Sequence, residues 1–135
     1  MNKLKVAILE DEVPAARLLY SMIKRLRSEW DVFILSGSIE EAVKWFGENS
    51  HPDLLFLDIQ LSDGNSFDFL SVAHPSSVII FTTAYDQYAI RAFSVNSIDY
   101  LLKPIDEGRL SEALVKYEML IGSSYKQPDD YFNVI

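Results

Sequence analysis

Several side chains able to do acid, base or hydroxyl chemistry stand where short apolar runs stop. Leu54-Leu55-Phe56-Leu57 ends on Asp58, followed by Ile59-Gln60-Leu61-Ser62-Asp63-Gly64. Four apolar residues in a row suit a strand buried on both faces, which puts Asp58 at its C-terminal tip. Leu4 to Leu9 breaks into Glu10-Asp11-Glu12, Val78 to Phe81 into Thr82-Thr83-Ala84, and Ile98 to Leu102 into Lys103-Pro104. Ligands of open parallel sheets bind outside the carboxyl ends of the strands, so these tips are candidates for one shared site. If Glu10, Asp11 and Asp58 converge there, each pair repels by roughly 4 kcal/mol at about 4 Å and an effective dielectric of about 20. Oxygen ligands without His or Cys select a hard divalent cation such as Mg²⁺. Lys103 supplies a second positive charge and Thr83 a hydroxyl donor. Together they make a phosphoryl-transfer site in which Asp58 is the nucleophile that becomes an aspartyl phosphate.

The elements that would carry these tips alternate regularly. After the first strand, Pro14 suits a helix's first turn, and Ala15, Leu18, Leu19, Met22, Ile23 and Leu26 form its apolar stripe, with Arg17, Lys24, Arg25 and Arg27 off it. Val32 to Leu35 reads as a strand. Ser38 with Glu41 is a capping box for a helix that buries Ile39, Ala42, Val43 and Phe46. Ser66 is expected to cap a short helix with Phe67 and Leu70 inward, and Asp86 to cap another containing Ala89, Ile90, Ala92 and Phe93. Asp106 opens the last helix, with Leu110, Ala113, Leu114, Tyr117 and Ile121 inward, broken at Gly122-Ser123-Ser124. Five strands alternating with five helices require right-handed crossovers, hence an α/β fold with a parallel sheet and helices on both faces.

Composition narrows the function. The 135 residues suit one domain, and the lack of cysteine excludes disulfides and thiolate metal sites. No apolar run approaches the length of a membrane span, so a cytoplasmic location with no membrane partner is expected. A net charge of −8 argues against this segment gripping a phosphate backbone, so any DNA contact would come from elsewhere. His51 and His74, each followed by proline, read as loop residues, Trp30 and Trp45 as edge packing, and Arg17, Lys24 and Arg25 as a solvated face.

Glu10-Asp11-Glu12, Leu57-Asp58-Ile59-Gln60-Leu61-Ser62-Asp63-Gly64, Thr83-Ala84 and Lys103-Pro104 in this order resemble the receiver domain of bacterial two-component response regulators. The runs from Phe81 to Phe93 and from Asp99 to Ile105 resemble the LytR/AlgR (LytTR-type) subfamily in particular. The likeness covers about residues 3 to 122. It implies a flavodoxin-like, CheY-like strand order 2-1-3-4-5, Asp58 as phosphoacceptor, and Mg²⁺ held by Asp11, Asp58 and the Gln60 main-chain carbonyl, with Glu10 acting through water. It further implies that Lys103 binds the phosphoryl oxygens, that Thr83 and Tyr100 are the switch pair, and that the Lys103-Pro104 bond is cis. Gln60 and Tyr85 would tune the phosphoryl lifetime. Ser62 stands where many relatives have proline, and Glu10 where aspartate is commoner.

The function implied is a switch phosphorylated by a sensor histidine kinase and read out on the face of the fourth helix, fifth strand and fifth helix. Homodimerisation on phosphorylation is a possible readout. Beyond self-directed phosphoryl transfer and autodephosphorylation, no enzyme activity is implied. In the family the first helix and the loop after the fifth strand help dock the kinase. Residues 1–122 are expected to be the receiver, and 123–135, with the apolar end Tyr131 to Ile135, a linker leading to a LytTR-type DNA-binding domain; the alternative is a stand-alone receiver. An atypical receiver acting only as a docking module would be expected to lack an acid, the Thr or the Lys, and none is lost here. An aspartyl-phosphate phosphohydrolase would carry Asp-x-Asp after the first strand, where this chain has Glu10-Asp11-Glu12.

Overall fold

The computed structural model describes residues 3–35, 37–84 and 97–123. Its elements are β1 (Lys5–Leu9), α1 (Val13–Leu26), β2 (Asp31–Leu35), α2 (Ile39–Glu48) and β3 (Leu54–Asp58). They continue with β4 (Gln60–Leu61), β5 (Gly64–Asn65), α3 (Ser66–Ala73), β6 (Val78–Thr83), β7 (Ser97–Leu102) and α4 (Glu107–Ser123). The main sheet has the order β2-β1-β3-β6-β7 with every neighbouring pair parallel, which is the expected architecture. The expected helix around Ala89, Ile90, Ala92 and Phe93, together with Tyr85 and residues 124–135, lies outside the described residues.

Alternation along the strands builds two cores. Val6, Ile8, Leu54, Phe56, Ile80 and Leu101 face α1 and α4, while Ala7, Leu9, Leu55, Leu57, Ile79 and Phe81 face α2 and α3. All five residues of β3 are buried. Each fully buried Leu or Phe contributes about 1.5–3 kcal/mol, so the strand that ends on Asp58 is held rigidly between both layers.

Several local expectations need correction. The buried face of α1 is Ala16, Leu19, Met22 and Ile23, and Leu18 is 56% exposed. Ala16 brings the helix close to the sheet, and Leu18, at the margin of the stripe, turns sideways. Asn65, not Ser66, caps α3, its side chain accepting the Phe67 N–H at 2.8 Å. The turn cluster after Asp58 forms a small antiparallel hairpin, β4 with β5. The last helix runs through Gly122. Two residues assigned to a solvated face also have partners: Lys24 Nζ donates to the Ser28 carbonyl at 2.9 Å and the Trp30 carbonyl at 2.6 Å, and Arg25 pairs with Glu107. Ser38 does cap α2, accepting the Glu41 N–H at 3.1 Å, and Asp106 accepts the Arg109 N–H at 3.0 Å.

Between α1 and α4, Arg27 grips Glu118 with two hydrogen bonds of 2.8 and 2.6 Å and lies 5.7 Å from the Trp30 ring. Trp30 meets Tyr117 edge-on at 6.1 Å. Burial, with the charge of Asp53, pushes the Tyr117 hydroxyl up to about 12.

Candidate functional site

The parallel order brings the tips of β1, β3 and β6 side by side: Leu9 pairs with Leu57, and Asp58 with Thr82. Glu10, Asp11 and Asp58 follow from those strands, and one carboxylate oxygen from each lies within 4.8 Å of the others. Lys103, just past β7, reaches in from the opposite side. Its Nζ donates to Asp58 Oδ2 at 3.0 Å and to Glu10 Oε1 in a shorter contact. The Lys103 N–H holds the loop that carries it by donating to the Thr83 carbonyl at 2.7 Å, and the Lys103-Pro104 bond is cis.

Charge in this cluster is unbalanced. Three carboxylates face one ammonium, so two negative charges are left over when all are ionised. Burial pushes the Glu10 carboxyl up, outweighing the hydrogen bonds from Lys103 and the Glu12 N–H, and the charge of Asp58 adds to the rise. Burial also works against the charge of Lys103, but its bonds to Glu10 and Asp58 prevail and hold it above the usual lysine value. A donor set of clustered carboxylate oxygens, with neither imidazole nor thiolate among them, fits a hard divalent cation.

The remaining sequence-assigned residues surround this cluster. Thr83, at the tip of β6, is fully buried. Tyr100 pairs with Phe81 across β6 and β7 and packs, half-buried, on the α2–α3 side, the side to which alternation also directs Thr83. Thr82 points the other way, into a groove of about 170 Å³ between α1 and Pro104-Ile105 that is also lined by Leu18, Leu19 and Met22. Gln60 is exposed in β4, two residues beyond Asp58, and its N–H donates to Asp58 Oδ1 at 3.3 Å. Tyr100 is not in the acidic cluster itself.

Other residues of the site escaped the sequence reading. Ser66, buried completely, donates its hydroxyl to the main-chain carbonyl of Asp58 and so fixes the backbone of that residue; its hydroxyl chemistry had suggested only a cap. Gly37 lies directly on Asp11: a Cβ there would fall 2.3 Å from the Asp11 Cα and Cβ. Away from the acids, between β7 and α4, Asp99, 6% exposed, accepts hydrogen bonds from Arg109 and the Tyr100 N–H and pairs with Lys116 at 3.3 Å. Burial opposes its charge, yet those partners hold its carboxyl below the usual range.

A parallel five-stranded sheet with acids and a lysine gathered at one rim defines a receiver domain, and the sequence agrees. Residues 6–115 match the family described as "Response regulator receiver domain", and the chain belongs to it. Among curated proteins it is 42% identical over 119 residues to the sensory transduction protein LytT of Bacillus subtilis, covering 85% of this chain and 48% of that protein. It is 40% identical over 118 residues to LytT of Bacillus anthracis, covering 85% and 47%. The transcriptional regulatory protein BtsR of Escherichia coli is 39% identical over 117 residues, covering 84% and 47%. The chain thus spans about half the length of these relatives. Among solved structures, a two-component response regulator from Clostridium difficile superposes with TM-score 0.74 at 22% identity, over 87% of this chain and 97% of that one. A CheY-like receiver from Methanospirillum hungatei gives 0.73 at 20%, over 87% and 96%. These two likenesses concern the fold. Among the described residues no helix is long and apolar enough to cross a membrane.

Proposed function

We propose that residues 1–122 are a phosphorylation-operated switch whose phosphoacceptor is Asp58. The observation that carries this reading is the convergence of the Glu10, Asp11 and Asp58 oxygens within 4.8 Å, with Lys103 Nζ 3.0 Å from Asp58. Asp11, Asp58 and the Gln60 carbonyl would hold Mg²⁺, with Glu10 acting through water. The ion would neutralise the surplus carboxylate charge and the charge developing on the phosphoryl oxygens. An Asp58 oxygen attacks the phosphorus of a phosphohistidine on a sensor kinase; the new P–O bond forms as the P–N bond breaks, and the imidazole leaves with the electron pair. The Lys103 ammonium binds the transferred phosphoryl oxygens, and hydrolysis of the acyl phosphate later resets Asp58. No other substrate is turned over.

The signal is a shift between two states. A hydrogen bond from Thr83 to the charged phosphoryl group is worth roughly 1.5–3 kcal/mol. Moving a domain from 1:99 to 99:1 needs about 5.5 kcal/mol, so Lys103 and the loop after β6 must supply the rest. As Thr83 moves inward, Tyr100 rotates into the vacated space and reshapes the face built on β7 and α4. That face would feed homodimerisation and a LytTR-type DNA-binding domain joined through residues 123–135, controlling transcription in the cytoplasm; the likeness to BtsR, a transcriptional regulatory protein, supports this output.

Incubation with Mg²⁺ and a small acyl-phosphate donor tests the assignment by intact mass. The chain should gain one phosphoryl group with Mg²⁺ present, and none when Mg²⁺ is withheld or as Asp58→Asn. Uptake that persists in Asp58→Asn would overturn the assignment.

A further inference from the structure

We propose that Asp63 is a positioning residue for the cation site: it clamps the β4–β5 hairpin to the start of α2 and so holds Gln60 in place beside Asp58. This rests on the cation reading above and extends it to a residue outside the acidic cluster.

Asp63 sits at the exposed turn of the hairpin, where neither packing nor a buried ion pair calls for a carboxylate. Its Oδ1 accepts the Ile39 N–H at 2.8 Å and its Oδ2 the Glu40 N–H at 3.3 Å. These donors open α2, whose own cap, Ser38, serves Glu41 instead. First-turn N–H groups are ordinarily satisfied by a neighbouring side chain or water; here a residue some two dozen positions away does it, and the bond ties two elements together. Gly64 confirms how close they lie. Its φ is +150°, and a Cβ there would meet Ile39 Cδ1 at 3.1 Å.

A chain of contacts then closes around the site. Gly37, two residues before Ile39, presses on Asp11. Asp63 joins Ile39 to the hairpin, Gln60 pairs with Asn65 across it, and Ser66 bonds back to the Asp58 carbonyl. The supports of Asp11, Gln60 and Asp58 therefore form one ring, and the Asp63 bonds are its exposed link.

Mg²⁺ is titrated by calorimetry into the protein and into Asp63→Ala, Asp63→Asn, Gly64→Ala and Ser38→Ala, with thermal unfolding of each measured without Mg²⁺. Removing groups that orient metal ligands costs about 10–100-fold in affinity. Asp63→Ala should fall at the low end, about tenfold, while Asp63→Asn, which keeps an acceptor for Ile39, loses less. Ser38→Ala removes the other α2 cap without touching the hairpin, so it should lower the unfolding temperature and leave Mg²⁺ affinity unchanged. Wild-type affinity in Asp63→Ala, or an equal loss in Ser38→Ala, would overturn the clamp. If Asp63→Ala does not fold, Gly64→Ala decides: a side chain at φ +150° strains the hairpin turn and crowds the Ile39 Cδ1, and unchanged Mg²⁺ affinity in a Gly64→Ala protein whose unfolding temperature has fallen refutes the proposal. Absence of saturable Mg²⁺ binding by the unsubstituted protein overturns both the clamp and the cation reading, and so distinguishes the two failures.

Discussion

Replacing Gly37 by alanine places one methyl group against the backbone of a proposed cation ligand. The new Cβ would lie 2.3 Å from the Asp11 Cα and Cβ and 3.0 Å from its nitrogen, whereas ordinary contact begins near 3.4 Å. Main-chain atoms cannot rotate away as a flexible side chain can, so the backbone at Asp11 or at Gly37 must move by about 1 Å. Overpacking of this kind costs about 1–3 kcal/mol. A displacement of about 1 Å at a reacting centre can slow chemistry by up to about 100-fold, so phosphoryl uptake from a small donor should fall well beyond what the stability loss explains. Gly47→Ala is the matched control. It lies in α2 with nothing within 4 Å of its would-be Cβ, and a helical Gly→Ala should stabilise by about 0.5–1 kcal/mol. Urea unfolding and the initial rate of uptake by intact mass measure both effects. Wild-type stability and rate in Gly37→Ala would refute the contact, and equal slowing in Gly47→Ala would show that the rate does not report on Asp11.

Lys103→Met should destabilise the protein by about 3–5 kcal/mol in urea, the cost of leaving buried charge without its partner, and Mg²⁺ should recover part of the loss. Asp99→Asn should cost less, about 1–3 kcal/mol, because Arg109 and Lys116 are 41% and 55% exposed. The carboxyl of Asp99 titrates below its unfolded value, so its contribution is present above about pH 4 and lost as pH falls through the lowered folded value; the stability gap between wild type and Asp99→Asn should close on acidification. Thr83→Ala should still accept the phosphoryl group at Asp58 yet leave the Tyr100 amide resonance near its resting position, because it lacks the roughly 1.5–3 kcal/mol of hydrogen bonding that couples the two. A full wild-type shift of Tyr100 in that variant would remove Thr83 from the switch.

Strand identity was legible because each buried strand is a short apolar run closed by polar residues, and Glu10, Asp58, Thr83 and Lys103 stand at those closures; the strand order came only with the resemblance to receiver domains. What remained hidden depended on distance in three dimensions. The stripe of α1 is wide enough that periodicity alone could not tell that Ala16 would meet the sheet and Leu18 the groove. Asn65 and Ser66 are both good caps, and only the buried carbonyl of Asp58 decides that the serine hydroxyl goes there. Asp99 finds Arg109 in the first turn and Lys116 in the third turn of α4, a pairing that exists only once β7 and α4 are packed together. Gly37 carries no local turn signature beyond its neighbours; the closeness of Asp11 gives it its significance.

The direction of α4 sets how far news of the site must travel. The helix starts just after the Lys103 loop and runs back along the sheet for 17 residues, about 25 Å at 1.5 Å per residue. The end of α4 therefore lies toward the strand starts, away from the acids, where Glu118 meets Arg27 and Tyr117 meets Trp30. Under the proposed switch, a tethered module would learn of phosphate only through leverage, as a tilt or slide of a rod whose near end is bolted to β7 by Asp99 and whose flank is riveted to α1 by Arg27.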